Sequence, residues 1–187
     1  QGLTGMAAAG IDMAAWDALA VAHGVPLATL LGGKPLPVPA YSSCAMAGVD
    51  GALVDVKEQV DRGFDAIKLK IGYADVGEDR KVLAAAQKAG ARKLLVDYNQ
   101  SLDVTSAIAR VTALDDLGLV WVEEPVTADD YNGHARIAAA VKTPIQIGEN
   151  MWSPMDFEKA IAAGYTDGIM LDVMKIGGVT GWMKAAA

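Results

Sequence analysis

Cysteine, histidine and phenylalanine are nearly missing from these 187 residues, which hold one Cys, two His and two Phe. Cys44 alone cannot close an internal disulfide, so a reducing cytoplasm is the compartment this usage implies. His23 and His134 do not sit at ligand spacing, which excludes a His-rich metal site. Positive charge is in deficit: 16 Lys+Arg stand against 23 Asp+Glu, for a net charge of -7. That balance argues against a nucleic-acid footprint, which needs a basic face, and against anionic membrane surfaces. Long apolar runs are also lacking. Asp12 and Asp17 interrupt the Ala-rich opening, whereas a membrane span wants about 20 nearly unbroken apolar residues. The opening has no basic leader of the kind a signal peptide carries. There is no initiator Met, and the closing run Gly181–Ala187 is helix-forming without a stop signal, so the sequence reads as a piece of a longer protein.

What is present is apolar content, 52% of the residues, enough for a sizeable core in one domain. Residues 3–22 are helical by propensity. Gly24 stops that helix, and Pro26 opens a shorter one that closes at Gly32-Gly33. Lys34-Pro-Leu-Pro is a connector. Beyond it, short apolar runs alternate with longer amphipathic stretches: VPAYSS, AIKLKI, KLLVD, LVWVE, PIQIGE and GIMLD, each followed by a helical pattern. Six strand-then-helix units in succession imply a parallel sheet with both faces buried. The last five runs end at Lys70, Asp97, Glu123, Glu149 and Asp172, in steps of 27, 26, 26 and 23 residues. So regular a period favours a β/α barrel over a doubly wound sheet. A complete barrel of eight units needs roughly 250 residues, so two units are expected to be missing. The expected fold class is α/β, an incomplete TIM-type barrel over 34–187, with residues 1–33 apart from it.

In such barrels the chemistry gathers at the C-terminal ends of the strands. Asp97, Glu123 and Glu149 on three neighbouring strands make an all-oxygen site suited to Mg²⁺ rather than Zn²⁺. Taken singly, acids at strand ends can equally cap helices or pair with Lys. Lys68 and Lys70 flank Leu69, and the strand period of two puts both on one face. A like charge and desolvation would lower a Lys pKa and make it a base; alternatively both Lys neutralise the nearby acids. Asn99 lies two residues past Asp97, on the same face, placed to orient a metal-bound water or a substrate oxygen. Glu124 is either a supporting acid or the turn into Pro125. His134, Cys44, the four Trp and Gly177-Gly178 read as packing or loop residues.

The segments GIDMAAWDAL, IKLKIGY, DYNQSLD, WVEEP, GEN and LDVMKIGGVTGW resemble the enolase superfamily, and within it the mandelate racemase branch of the mandelate racemase/muconate lactonizing enzyme family. The resemblance implies that residues 1–33 are the last helices of an N-terminal capping domain and 34–187 a truncated barrel. It implies Mg²⁺, or Mn²⁺, held by Asp97, Glu123 and Glu149. Lys70 would remove the proton α to a carboxylate, giving an enediolate. Lys68 would lower the pKa of Lys70 and contact the substrate carboxylate, as would Ser43. Asp172 matches the residue that orients a catalytic His on the following strand; that His is expected beyond Ala187. The implied activity is racemisation of a 2-hydroxy acid resembling mandelate. Dehydration of an acid sugar begins with the same proton abstraction, and a catalytically inert fragment that still binds metal is the third reading. The implied partner is a small carboxylate, with no nucleic acid or membrane and a homo-oligomer in the complete protein.

Overall fold

The structure, a computed structural model, describes residues 2–187. The Ala-rich opening forms α1 (Leu3–Ala22), and the segment after Pro26 forms α2 (Leu27–Leu30). Six strand–helix units follow: β1 (Ser42–Cys44) and α3 (Gly48–Asp61), β2 (Ala66–Lys70) and α4 (Val76–Lys88), β3 (Lys93–Asp97) and α5 (Val104–Thr112). Then come β4 (Val122–Glu123) and α6 (Tyr131–Ala140), β5 (Ile145–Ile147) and α7 (Pro154–Ala162), β6 (Gly168–Ile169) and α8 (Gly178–Ala186). The strands form one sheet in chain order, β1-β2-β3-β4-β5-β6, and β1 to β5 pair in parallel. Sequential parallel neighbours joined by helices are the arrangement that the repeating period predicts.

Two strand boundaries differ from expectation. The first strand is only three residues long, and Leu36 and Val38 before it are exposed. Pro35, Pro37 and Pro39 explain this, because each removes a ladder donor and restricts the residue before it. Glu149 and Asp172 lie two and three residues beyond the ends of β5 and β6, on the connecting segments rather than in the strands. The four Trp are not core residues: Trp16, Trp121 and Trp152 are half-buried and Trp182 is exposed.

The chain clusters into two compact units. The larger holds residues 40–147 and 163–168. Its core is the inner strand residues Ile67, Leu69, Leu94, Val96, Val122 and Ile145, packed under helix residues such as Val56, Leu83 and Ile137. Asp75, Asp103 and Asp130 begin α4, α5 and α6, each accepting a hydrogen bond from a first-turn N–H (Glu78, Ser106 and Gly133). His134 of α6 is fully buried; burial lowers its pKa below the ordinary histidine range, and its Nδ1 hydrogen-bonds the Asp130 carbonyl, so it packs as a neutral ring.

The smaller unit joins residues 1–39 to 148–162 and 169–187. Within it, α1 caps α8. Asp12 of α1 accepts hydrogen bonds from the Thr180 N–H at 3.0 Å and the Thr180 hydroxyl at 2.5 Å, in the first turn of α8. Trp16 Nε1 donates to the same hydroxyl at 2.9 Å. A carboxylate there satisfies orphan donors and complements the helix dipole. Gly178, at φ +77°, leaves room for it, since an added Cβ would collide with the Asp12 carboxylate. By length and composition α1 is apolar enough to cross a membrane, so its two acids do not exclude that on composition, contrary to the sequence argument. Its observed partner is α8.

Asp115 generates a prediction about acid stability. It follows α5 and accepts from the N–H of Lys142 (3.0 Å) and Thr143 (2.8 Å) and from the Thr143 hydroxyl (2.8 Å), fixing the start of β5. Burial alone would raise its pKa, but these donors outweigh it and hold the carboxyl below the usual range. A depressed folded-state pKa contributes stability present above the unfolded value, near 4, and lost as pH falls through the folded one. Asp115→Ala should therefore cost about 1–3 kcal/mol at pH 7. Urea unfolding of both proteins at pH 7 and pH 3 checks this, with the gap expected to shrink at the lower pH.

Candidate active site

The sheet register sets two rows side by side. Lys70 is the Cα partner of Asp97, Asp97 of Glu123, and Glu123 of Gln146. One step earlier, Ser43 is the partner of Lys68. Because paired residues in a parallel sheet share a face, one face at the strand ends collects Lys70, Asp97, Glu123 and Gln146, with Lys68 two residues before Lys70 on the same face.

Lys68 is the centre of this group. Its Nζ lies 2.9 Å from both oxygens of Glu123 and 3.4 Å from Oδ2 of Asp97. The three side chains are almost wholly buried, at 7%, 1% and 2% exposure for Lys68, Glu123 and Asp97. Trp121, two residues before Glu123, donates Nε1 to Glu123 Oε2 at 3.3 Å, and the Tyr41 ring lies 5.8 Å from the ammonium. Tyr41 and Trp121 meet edge to face. One cation among two carboxylates leaves an excess negative charge. Burial pulls the Lys68 ammonium toward deprotonation, but the Glu123 hydrogen bond and the two acids outweigh it and hold the group above the ordinary lysine value. Burial, with the Asp97 charge adding to it, raises Glu123 despite its bonds to Lys68.

The alternatives left open by the sequence divide here. Helix capping is done by a second set of acids, Asp75, Asp103 and Asp130, so it does not account for Asp97 or Glu123. Pairing with Lys does hold for Lys68. It does not hold for Lys70, which is exposed at the end of β2 and has no hydrogen bond or ion pair among the described residues.

Asn99 meets Asp97 for a reason other than the strand period. The strand ends at Asp97, and Asn99 and Gln100 turn back with φ of 46° and 64°. In that left-handed turn the Asn99 N–H donates to Asp97 Oδ1 at 2.8 Å and its Nδ2 to Oδ2 at 3.0 Å. Glu124 is likewise a turn residue, at φ 36° before Pro125, and its side chain is buried. Such positive φ outside glycine is uncommon and held only by strong surroundings. Here the Gln100 N–H donates to the Glu124 carbonyl at 2.8 Å, and the Glu124 N–H to the Gln146 carbonyl at 3.0 Å.

Glu149 and Asp172 belong to the smaller unit. Glu149 Oε1 accepts from Asn150 Nδ2 at 3.4 Å, and Asn150 Oδ1 accepts from Lys175 Nζ at 2.8 Å. Gly148 before it has φ +119°, and a Cβ there would lie 2.8 Å from both Ile169 Cγ2 and the Met170 carbonyl oxygen, so only glycine fits. Asp172 Oδ1 accepts from the Met174 N–H at 2.7 Å, fixing the turn that leads into α8. Ser43 is exposed and Cys44 is a buried free thiol.

Among the described residues no three His, Cys, Asp or Glu side chains cluster closely enough to hold an ion. The donor chemistry of Asp97 and Glu123 nonetheless suits a hard cation: only oxygens face the group, negative charge is in excess, and a cation, the Lys68 ammonium, already sits between them. Sequence reasoning missed Tyr41, Gln146, and the buried Asp79 and Tyr98 with the half-buried Arg110 behind the strand ends. For Trp121 a signal existed, since it lies two residues before Glu123 and so shares its face; for Tyr41 there was none.

Comparison with known proteins bears on the same residues. Residues 52–187 match the enolase C-terminal domain-like family, and residues 2–32 match the N-terminal domain of the mandelate racemase/muconate lactonizing enzyme family. The L-talarate/galactarate dehydratase of Salmonella typhimurium is 35% identical over 98% of this chain and 48% of its own length. A solved enolase from Bradyrhizobium, complexed with magnesium and mandelic acid, is 43% identical and superposes with a TM-score of 0.93 over all of this chain and 52% of that one. The L-talarate dehydratase of Polaromonas, solved with Mg and L-glucarate, is 34% identical with a TM-score of 0.92 over 99% of this chain and 53% of its own. The chain thus spans about half the length of the relatives it matches. Two adjoining family matches, the sheet order and this similarity over nearly every residue lead to one assignment: the chain belongs to the mandelate racemase/muconate lactonizing enzyme family of the enolase superfamily.

Proposed function

We propose that this chain carries the base and the metal ligands of an enzyme that removes the proton α to a carboxylate, racemising a 2-hydroxy acid related to mandelate. The observation that carries the reading is the register at the strand ends: an exposed Lys70 without a partner stands beside Asp97, and both stand beside a buried Lys68 held by Glu123. Lys70 accepts the α-proton. Lys68 and the Ser43 hydroxyl, paired across β1 and β2, hold the substrate carboxylate, and Asn99 holds a substrate oxygen beside Asp97. Asp97, Glu123 and Glu149 are the proposed ligands of Mg²⁺, which when bound offsets the charge that grows on the carboxylate as the proton leaves. Asp172 orients the second base, an imidazole on the opposite face of the substrate, from a later strand.

Acid-sugar dehydration is the second reading. It shares the Lys70 step and then expels the 3-hydroxyl as water. The similarity to talarate and galactarate dehydratases supports it, while the mandelate-bound relative at 43% identity supports the first.

The decisive experiment offers the intact protein mandelate and galactarate in D₂O with Mg²⁺. Racemisation is expected to appear as deuterium at Cα with loss of optical rotation, and dehydration as a 2-keto-3-deoxy acid. Lys70→Ala should abolish deuterium uptake at the face that Lys70 serves. Exchange that survives Lys70→Ala unchanged would overturn the role given to that base.

A second expectation concerns the metal. Asp97→Asn and Glu149→Gln each remove one negative oxygen donor, and Mn²⁺ affinity measured by calorimetry should fall at least about tenfold in each. Equal affinity in parent and variant would remove that residue from the ligand set.

A further inference from the structure

The segment that follows Lys70 is held from outside. The N–H groups of Gly72 and Tyr73 both donate to Asp79 Oδ1, each at 3.0 Å. Asp79 lies on α4 with no exposed surface. Its second oxygen accepts from the Tyr98 hydroxyl at 3.1 Å and from the Arg110 guanidinium at 3.1 Å. Arg110, on α5, also donates to the carbonyls of Tyr73 and Ala74, both at 2.9 Å. The Tyr73 hydroxyl in turn accepts from the Gly48 N–H at 2.7 Å, just past β1. One carboxylate therefore receives four hydrogen bonds, and through them reaches the chain beyond β1, β2 and β3.

Gly48 lies five residues past Ser43, Gly72 two past Lys70, and Tyr98 within the Asp97–Asn99 turn. Tyr98 is itself the residue between Asp97 and Asn99, so its hydroxyl bond fixes that turn from behind. Gly72, at φ +116°, lies flat on the Tyr98 ring, where a Cβ would meet Cδ1 at 3.4 Å and the Ser101 hydroxyl at 3.3 Å. As a contribution to stability alone, a buried ion pair of this kind is replaceable by well-packed apolar groups. Apolar groups cannot draw two N–H groups of the loop after β2, the Tyr98 hydroxyl and the Arg110 guanidinium to one point, and a fixed geometry is what base catalysis demands.

We propose that Asp79 is a positioning residue: with Arg110 and Tyr98 it locks the β2 segment to the β3 turn, and so sets where Lys70 stands relative to Asp97 and Asn99. It touches neither substrate nor metal. The catalytic part of this inference rests on the proton-abstraction reading above; the anchoring part does not.

The test uses Asp79→Asn and Tyr98→Phe in the intact protein. Asp79→Asn keeps volume and one acceptor oxygen but loses the charge facing Arg110, while Tyr98→Phe cuts only the link to β3. Amide hydrogen exchange of residues 71–75 and 98–101 should accelerate in Asp79→Asn, and that of 98–101 alone in Tyr98→Phe. In Asp79→Asn, kcat for the Lys70-dependent reaction should fall about 10- to 100-fold with KM changed less than about twofold, the split expected when a base is misplaced and binding is not. Loosened segments with unchanged kcat would overturn the positioning role, and unchanged exchange in both variants would overturn the anchor. Should Asp79→Asn fail to fold, Tyr98→Phe carries the same comparison. A parent protein with no Lys70-dependent exchange would overturn the functional reading instead, and amide exchange would still report on the anchor by itself.

Discussion

The ammonium of Lys68, sealed between Glu123 and Asp97, is the interaction on which the strand ends depend. Two carboxylates this close and this dry cannot both stay ionised without a cation, and removing one partner of such a group costs about 3–5 kcal/mol. The Tyr41 ring lies 5.8 Å from the ammonium and meets Trp121 edge to face beside it. Yet one ammonium for two carboxylates leaves the group negative. The arrangement is stable enough to fold around and still attractive to a divalent cation, a combination that a fully neutralised pair would not provide.

Two distinct sets of acids serve the loops around that centre. Asp75, Asp103 and Asp130 are spent on the first turns of α4, α5 and α6, where their oxygens meet backbone N–H groups in the exposed or half-buried rim. Asp97 and Glu123 are buried and meet the Lys68 ammonium, Asp97 also holding the Asn99 turn. The separation has a physical basis: a cap needs a carboxylate just before a helix, whereas a strand-end acid precedes a turn. Asn99 and Glu124, both at positive φ, are the turns that keep these roles apart.

That period and polarity were legible in the sequence follows from the same logic. The spacing of Lys70, Asp97 and Glu123 survives as three residues aligned across β2, β3 and β4, because equal βα units keep equal register. The pairing of Lys68 with its acids was one of two readings the charges allowed, and only coordinates separate it from the unpaired Lys70. Asn99 reaches Asp97 through a left-handed turn, about which periodicity says nothing. The short β1 was hidden by apolar residues between prolines, where hydropathy and backbone chemistry disagree. Asp79 was illegible: nothing local marks an acid in the first turn of an amphipathic helix as buried rather than exposed, and its partners come from 6 to 31 positions away.

The cap of α8 by Asp12 has a consequence for the order in which the molecule is made. Residues 40–147 are continuous in the chain and contain every partner of the Lys68 and Asp79 networks, so they have what they need once the ribosome has passed them. The smaller unit does not. Thr180 follows Asp12 by 168 positions, so α1 is synthesised well before the helix it caps. Throughout that interval Leu3, Ile11 and Val21, which remain exposed even when α8 has arrived, have no α8 beside them. An apolar helix whose partner lies so far along the chain is a segment on which a chaperone has time to act.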